Sequence, residues 1–250
     1  TPEEALQRTH ELLEAHNEQA KQVPAWRLRE QLYYGTKVYS MKEGVKLAKE
    51  SIAKKQVPVV LADHSDRSGA ATWLLKEVID QKLSNTLIGT VADKDAIEAL
   101  RKKGVRPGDK FDMMVGGRVD ESAGEPVRVV GTVNTVSGGM SRFGGGGGAQ
   151  LWVSVKFGDG NEVIISPYLH QNTDPAAFSE IGINASDFKV IAIKSRVHFR
   201  RGYYDSGWAK NILLVEPDQP FVGTVRIDAL DYKHLKIENF YPFGKNVKYP

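Results

Sequence analysis

The chain has 250 residues, long enough for one large domain or two small ones and for a sizeable buried core. Its 41% hydrophobic and 26% charged residues suit a globular protein, and a formal charge of +3 spread along the sequence is too small to argue for a nucleic-acid partner. There is no cysteine, which excludes disulfides and thiol catalysis and makes the cytoplasm the default compartment, and no apolar run approaches a membrane span.

Residues 1–35 read as one or two polar helices interrupted at Val23-Pro24, with Thr1-Pro2-Glu3-Glu4 resembling a capping box. Leu6, Leu12 and Leu13 leave only a sparse apolar stripe, as expected of a helix that packs against something larger, so the chain is expected to be the later part of a longer polypeptide. Ser40-Met41-Lys42-Glu43 is a second capping box and opens a helix through about Lys55. Val57 to Asp63 is a β-branched apolar run, hence a buried strand, and the helical spacing of Trp73, Leu74, Val78 and Ile79 follows it. Asn85 to Ala92 reads as a second strand, and Asp93 caps a helix that stops at Gly104. Strand–helix alternation over 57–104 predicts an α/β unit with a parallel pair.

Strands are then predicted over Phe111–Val115, Val127–Val136, Leu151–Phe157 and Glu162–Ile165, with a tight hairpin at Gly158-Asp159-Gly160-Asn161. Five glycines, Gly144 to Gly148, read either as a flexible surface loop or as a flap carrying Met140, Arg142 and Phe143. Asp174-Pro175 starts a short helix, and Phe188–Lys194 and Ile212–Val215 are further strands. The fold expected is α/β: a small mixed sheet with βα units at about 57–104 and 188–215, plus an antiparallel β-rich section at about 111–166.

Two polar clusters follow buried strands, where ligands bind in open α/β sheets. Asp63, His64, Ser65, Asp66 and Arg67 could hold a metal or do acid–base work; the plainer reading has Asp63 or Asp66 capping the next helix and Arg67 pairing with one of them. Lys194, Ser195, His198, Arg200 and Arg201 form either an electropositive pocket for a carboxylate or other oxyanion, or an exposed basic helix start. A third polar knot, His170-Gln171-Asn172-Thr173-Asp174, precedes a Pro-initiated helix, so His170 and Asp174 do not share a helical face for a metal. No nucleophile elbow, His-Glu-x-x-His, phosphate loop or dinucleotide fingerprint occurs.

Four ordered segments resemble the C-terminal domain of the microcystinase C (MlrC) family of zinc metallopeptidase-like amide hydrolases: Leu61-Ala62-Asp63 through Thr72-Trp73-Leu74-Leu75, Val115-Gly116-Gly117-Arg118-Val119-Asp120, Asp174-Pro175-Ala176-Ala177-Phe178 with Gly182-Ile183, and Lys194-Ser195-Arg196-Val197-His198-Phe199-Arg200. The turn Ser65-Asp66-Arg67-Ser68-Gly69 departs from the family's common Asp-Asn-Pro-Gly-Gly, as does the poly-Gly stretch. The resemblance implies that residues 1–35 are a helical remnant of, or linker to, an N-terminal metal-binding domain, and that 36–250 is the C-terminal α/β domain. Zinc would polarise the scissile carbonyl in the complete protein, held by that other domain or a companion subunit, with no metal or catalytic residue supplied by this chain. The chain would form the cationic wall of the cleft for a small amide or peptide substrate: His198 and Arg200 contacting substrate carboxylate or oxyanion, Lys194 nearby, and Asp63, Asp66 and Arg67 shaping the wall. Homo-oligomerisation stays open. The competing reading is a non-catalytic anion-binding or assembly module.

Overall fold

The computed structural model describes residues 3–11, 37–65, 69–120, 123–138, 150–195, 197–209, 211–218, 232–236 and 239. The chain divides into one unit of residues 1–37 with 228–250 and another of residues 38–227. In the first, residues 3–11 form an exposed helix. The rest of the predicted helical region 1–35, like the Gly144–Gly148 stretch with Met140, Arg142 and Phe143, lies outside the described residues. Among the described residues no helix is long and apolar enough to cross a membrane.

The second unit is built on one sheet. Its described strands are β1 (Val38–Ser40), β2 (Val59–Asp63), β3 (Thr86–Ala92), β4 (Lys110–Val115), β5 (Val127–Ser137), β6 (Trp152–Phe157), β7 (Asn161–Ser166), β8 (Val190–Lys194) and β9 (Asn211–Glu216). They lie in the order β1-β9-β2-β8-β3-β7-β6-β5-β4. Pairing is parallel from β1 across to β7 and antiparallel from β7 to β4. The α/β class is as the sequence indicates, and the antiparallel section continues the same sheet. The parallel pair expected over 57–104 is not direct: β8 lies between β2 and β3, bonded to both. Strand polarity in sequence carries no information about such an insertion from a distant segment.

Helices α1 (Met41–Ala53), α2 (Trp73–Asp80) and α3 (Lys94–Lys102) contribute Met41, Val45, Leu74, Val78 and Ile97 to a core that covers one face of the sheet with Leu61, Ile88, Val91 and Val155. The other face, carrying Val60, Ala62, Ile191 and Ile193, is covered by two 3-10 helices, Pro175–Ile181 and Ala185–Asp187, and a π-helical segment, Arg200–Asp205, through Phe178, Ile181, Phe199 and Tyr203. Burial on both faces explains why β2 and β8 read as apolar runs up to their last residue, not as alternating ones. The capping box at Ser40 behaves as its spacing predicts, while Thr1 and Pro2 of the other lie outside the described residues. Ser40 Oγ accepts the Glu43 N–H at 3.1 Å and the Glu43 carboxylate accepts the Ser40 N–H at 3.3 Å. Asp93 caps α3 through Ala96 N–H at 2.9 Å and also receives Gly116 N–H at 2.8 Å and the Arg118 guanidinium, tying α3 to the end of β4.

One irregularity shapes the sheet. β3 pairs with β8 only from Thr86 to Ile88, and its register with β7 shifts between Ile88 and Thr90. Into that opening comes Asn172: its Oδ1 accepts from Thr90 N (3.3 Å) and Lys194 N (3.2 Å), and its own N–H donates to Lys194 O (3.2 Å). The side-chain amide stands in for a missing stretch of strand pairing and keeps the ends of β3 and β8 apart. Gly89 makes room for it, since a Cβ there would sit 2.2 Å from Asn172 Oδ1. Gly89→Ala should therefore destabilise the chain by roughly 1–3 kcal/mol through overpacking. In urea unfolding the cost should be less than additive with Asn172→Ala, because both act on one contact.

Candidate functional site

The carboxyl ends of β2 and β8 meet at Asp63 and Lys194, which are partners in register. Lys194 Nζ donates to Asp63 Oδ2 at 3.1 Å and to Ala71 O at 2.7 Å, and both side chains are at most 1% exposed. Ser65 Oγ donates to the other Asp63 oxygen at 2.7 Å. Asp63 does not cap α2: the cap is Thr72, whose hydroxyl donates to the backbone carbonyls of Ala123 and Glu125. Lys194 does not line a pocket, because adjacent parallel strands of equal length bring it against Asp63 and the sheet closes over both. His64 is also buried, with its N–H continuing the ladder to Val215 O at 2.8 Å. Asp66 and Arg67 lie outside the described residues.

A cleft of about 1370 Å³ opens between the segment after β7 and the π-helical segment after β8. Its walls include His170, Gln171, Asp174, His198, Arg201 and Trp208. His198 is among the residues that line the cleft. Its exposed ring bonds through Nδ1 to Gln171 Oε1 at 3.1 Å, while Gln171 Nε2 donates to Ser195 Oγ at 2.9 Å. Arg200 is not among the lining residues; its guanidinium carbon lies 5.9 Å from the Phe199 ring centroid, and its neighbour Arg201 lines the cleft instead. Helical winding after Phe199 turns successive side chains in different directions, so the sequence could not choose between two adjacent arginines.

The structure brings the third polar knot to the same cleft, which the sequence left apart from the second cluster. Thr90 Oγ1 donates to His170 O at 2.7 Å, and the His170 ring stands edge-on to Trp152 with centroids 5.1 Å apart. That ring is buried and its Nδ1 has no hydrogen-bond partner. Burial pushes its pKa below the usual histidine value, partly offset by the negative charge of Glu180. Trp208, which sequence reasoning missed, packs edge-on against fully buried Tyr203 at 5.5 Å; its only signal was a bulky aromatic in a polar Ser-Gly turn. Close packing of the walls depends on Gly202, where a Cβ would lie 2.3 Å from Thr173 O.

Among the described residues no group of three or more His, Asp or Glu side chains is placed to hold a metal ion, so these residues do not fit a zinc site. The geometry offers instead an arginine, an exposed imidazole, a neutral buried imidazole and an indole face. Asp63→Ala should strand the Lys194 ammonium in the core and cost about 3–5 kcal/mol in urea unfolding, whereas Asp63→Leu with Lys194→Met should recover most of that loss. The His170 shift has a definite sign. The unfolded chain binds its proton more readily, so stability is complete above the unfolded pKa near 6.5 and declines as pH falls through the folded value. His170→Gln should flatten that part of the stability–pH profile.

The curated protein "Microcystinase C" of a Sphingomonas species is 25% identical over 205 residues, covering 80% of this chain and 38% of its own length. In shape the chain is similar to the crystal structure of a "Putative metallopeptidase" from Mesorhizobium sp. BNC1, with a TM-score of 0.60 at 16% identity, covering 86% of this chain and 42% of that one. The chain thus spans about two-fifths of the length of each. The family described as MlrC C-terminus matches residues 61–234, well over half of the sequence, and this chain belongs to that family.

Proposed function

We propose that this chain forms one wall of the active cleft in a zinc-dependent hydrolase of amide or peptide bonds in a small substrate. The metal ligands belong to an N-terminal domain or companion subunit outside the 250 residues. Membership of the MlrC C-terminus family supports a peptidase-like hydrolase, and the name of the Sphingomonas relative supports a peptide-like substrate. The division of labour is supported by the chain spanning 38% of that relative's length.

The observation that carries the reading is the cleft between the segments that follow β7 and β8, with Arg201 and His198 on its wall. Arg201 supplies a permanent cation suited to a substrate carboxylate, and the Trp208 indole offers an apolar face beside it. Asp63 and Lys194 act from behind this wall. They spend their charges on each other, and by fixing the end of β8 they fix the start of the segment that bears Ser195, His198 and Arg201.

The reading is tested in the full-length protein. Arg201→Ala should raise KM about tenfold or more, the scale of one lost charged hydrogen bond. Arg200→Ala should leave KM nearly unchanged, and zinc content should stay the same in both. Unchanged turnover in Arg201→Ala and His198→Ala together with lost association between subunits would support the anion-binding or assembly module instead. Stoichiometric tight zinc on the 250-residue chain alone would refute the placement of the metal.

A further inference from the structure

We infer that Gln171 is a positioning residue that holds the His198 imidazole with its proton on Nδ1, leaving Nε2 to face the cleft as a hydrogen-bond acceptor. The site then selects ligands that offer an N–H or O–H at that point. As a statement about substrate, this rests on the proposed role of the cleft; as a statement about the imidazole, it stands on the geometry alone.

Gln171 is held on both sides. The preceding residue's carbonyl, His170 O, accepts from Thr90 Oγ1, and the following residue, Asn172, is bonded to Thr90 and Lys194 in the opening between β3 and β8. Its side chain is fixed at the far end as well, with Nε2 donating to buried Ser195 at 2.9 Å. With Nε2 so engaged, Oε1 is turned to His198 Nδ1 at 3.1 Å. The bond made by one ring nitrogen decides the state of the other, so an accepting oxygen at Nδ1 keeps a proton there and frees the Nε2 lone pair.

The opposite amide orientation would serve only one charge state. It would aim N–H donors at Nδ1, which is tolerable for a neutral ring but not for an imidazolium, whose nitrogens are both donors. With Oε1 facing Nδ1 the contact survives either way. His198 can therefore take a proton onto Nε2 from a ligand or water and return it without leaving Gln171, with no net change in the protein. Hydrogen-bond donation from Gln171 to Ser195 thus ties the imidazole's tautomer to the end of β8.

Long-range proton–nitrogen correlation spectra of the uniformly 15N-labelled 250-residue chain, recorded at alkaline pH, read the tautomer directly; His198→Gln assigns the ring. The expected spectrum shows protonated Nδ1 and bare Nε2. Gln171→Leu should lose the dominance of that form and bring up a proton on Nε2, while Gln171→Glu, which keeps an acceptor, should preserve it. A wild-type spectrum with the proton on Nε2 would overturn the inference even if Gln171→Leu failed to fold, as would an unchanged spectrum in a folded Gln171→Leu. In the full-length protein, Gln171→Leu should lower kcat/KM about tenfold with Gln171→Glu closer to wild type. No turnover in the wild type would count against the hydrolase reading and leave the tautomer result standing.

Discussion

A lysine and an aspartate placed side by side at the ends of two parallel strands are costly to bury. Each loses its hydration, and the fold recovers that cost only because the partners meet at hydrogen-bonding distance and their remaining valences are filled. Lys194 has Asp63 and the Ala71 carbonyl; Asp63 has Lys194 and Ser65. Removing either partner leaves a buried charge without its counter-charge. The pair therefore specifies which residue of β2 sits beside which residue of β8. Ala71 extends the same clamp to the polypeptide leading into α2, so three separate pieces of chain converge on one ammonium group.

From that fixed point the cleft follows by short steps. β8 ends at Lys194, Ser195 is buried beside it, and the chain turns into the π-helical segment that bears Arg201 and leads on to Trp208. On the opposite wall, Asn172 occupies the gap between β3 and β8 and draws His170 and Gln171 into place. The two walls meet through the Gln171 bridge to Ser195 and His198. Polar side chains thus complete the hydrogen bonding of main chain that the diverging strands leave unsatisfied, which is why so many of them gather here. Gly202 sets how closely the walls approach.

Much of this was legible in the sequence. The Ser40 capping box, the Asp93 cap and the hairpin at Gly158–Asn161 rest on interactions between neighbours, and β2 and β8 were readable because apolar runs rich in β-branched residues signal burial on both faces. What was not legible depended on partners distant in sequence. β1 is only three residues long and exists by pairing with β9, 176 positions away. Lys194 read as a free cation because its counter-charge lies 131 residues earlier. Asn172 looked like one more loop amide, since nothing local distinguishes a side chain that replaces strand pairing. Arg200 and Arg201 differ only in the direction each takes from a turn whose winding was not foreseen.

The change of polarity at β7 has a consequence for how the chain reaches this state. β4, β5, β6 and β7 are consecutive neighbours, so their pairing closes only modest loops, whereas β1 and β2 must wait for β9 from the other end of the sequence. Closing long loops before their contacts reward it slows assembly. The antiparallel meander is therefore expected to be the early-forming half, with the parallel half completed only when β9 arrives.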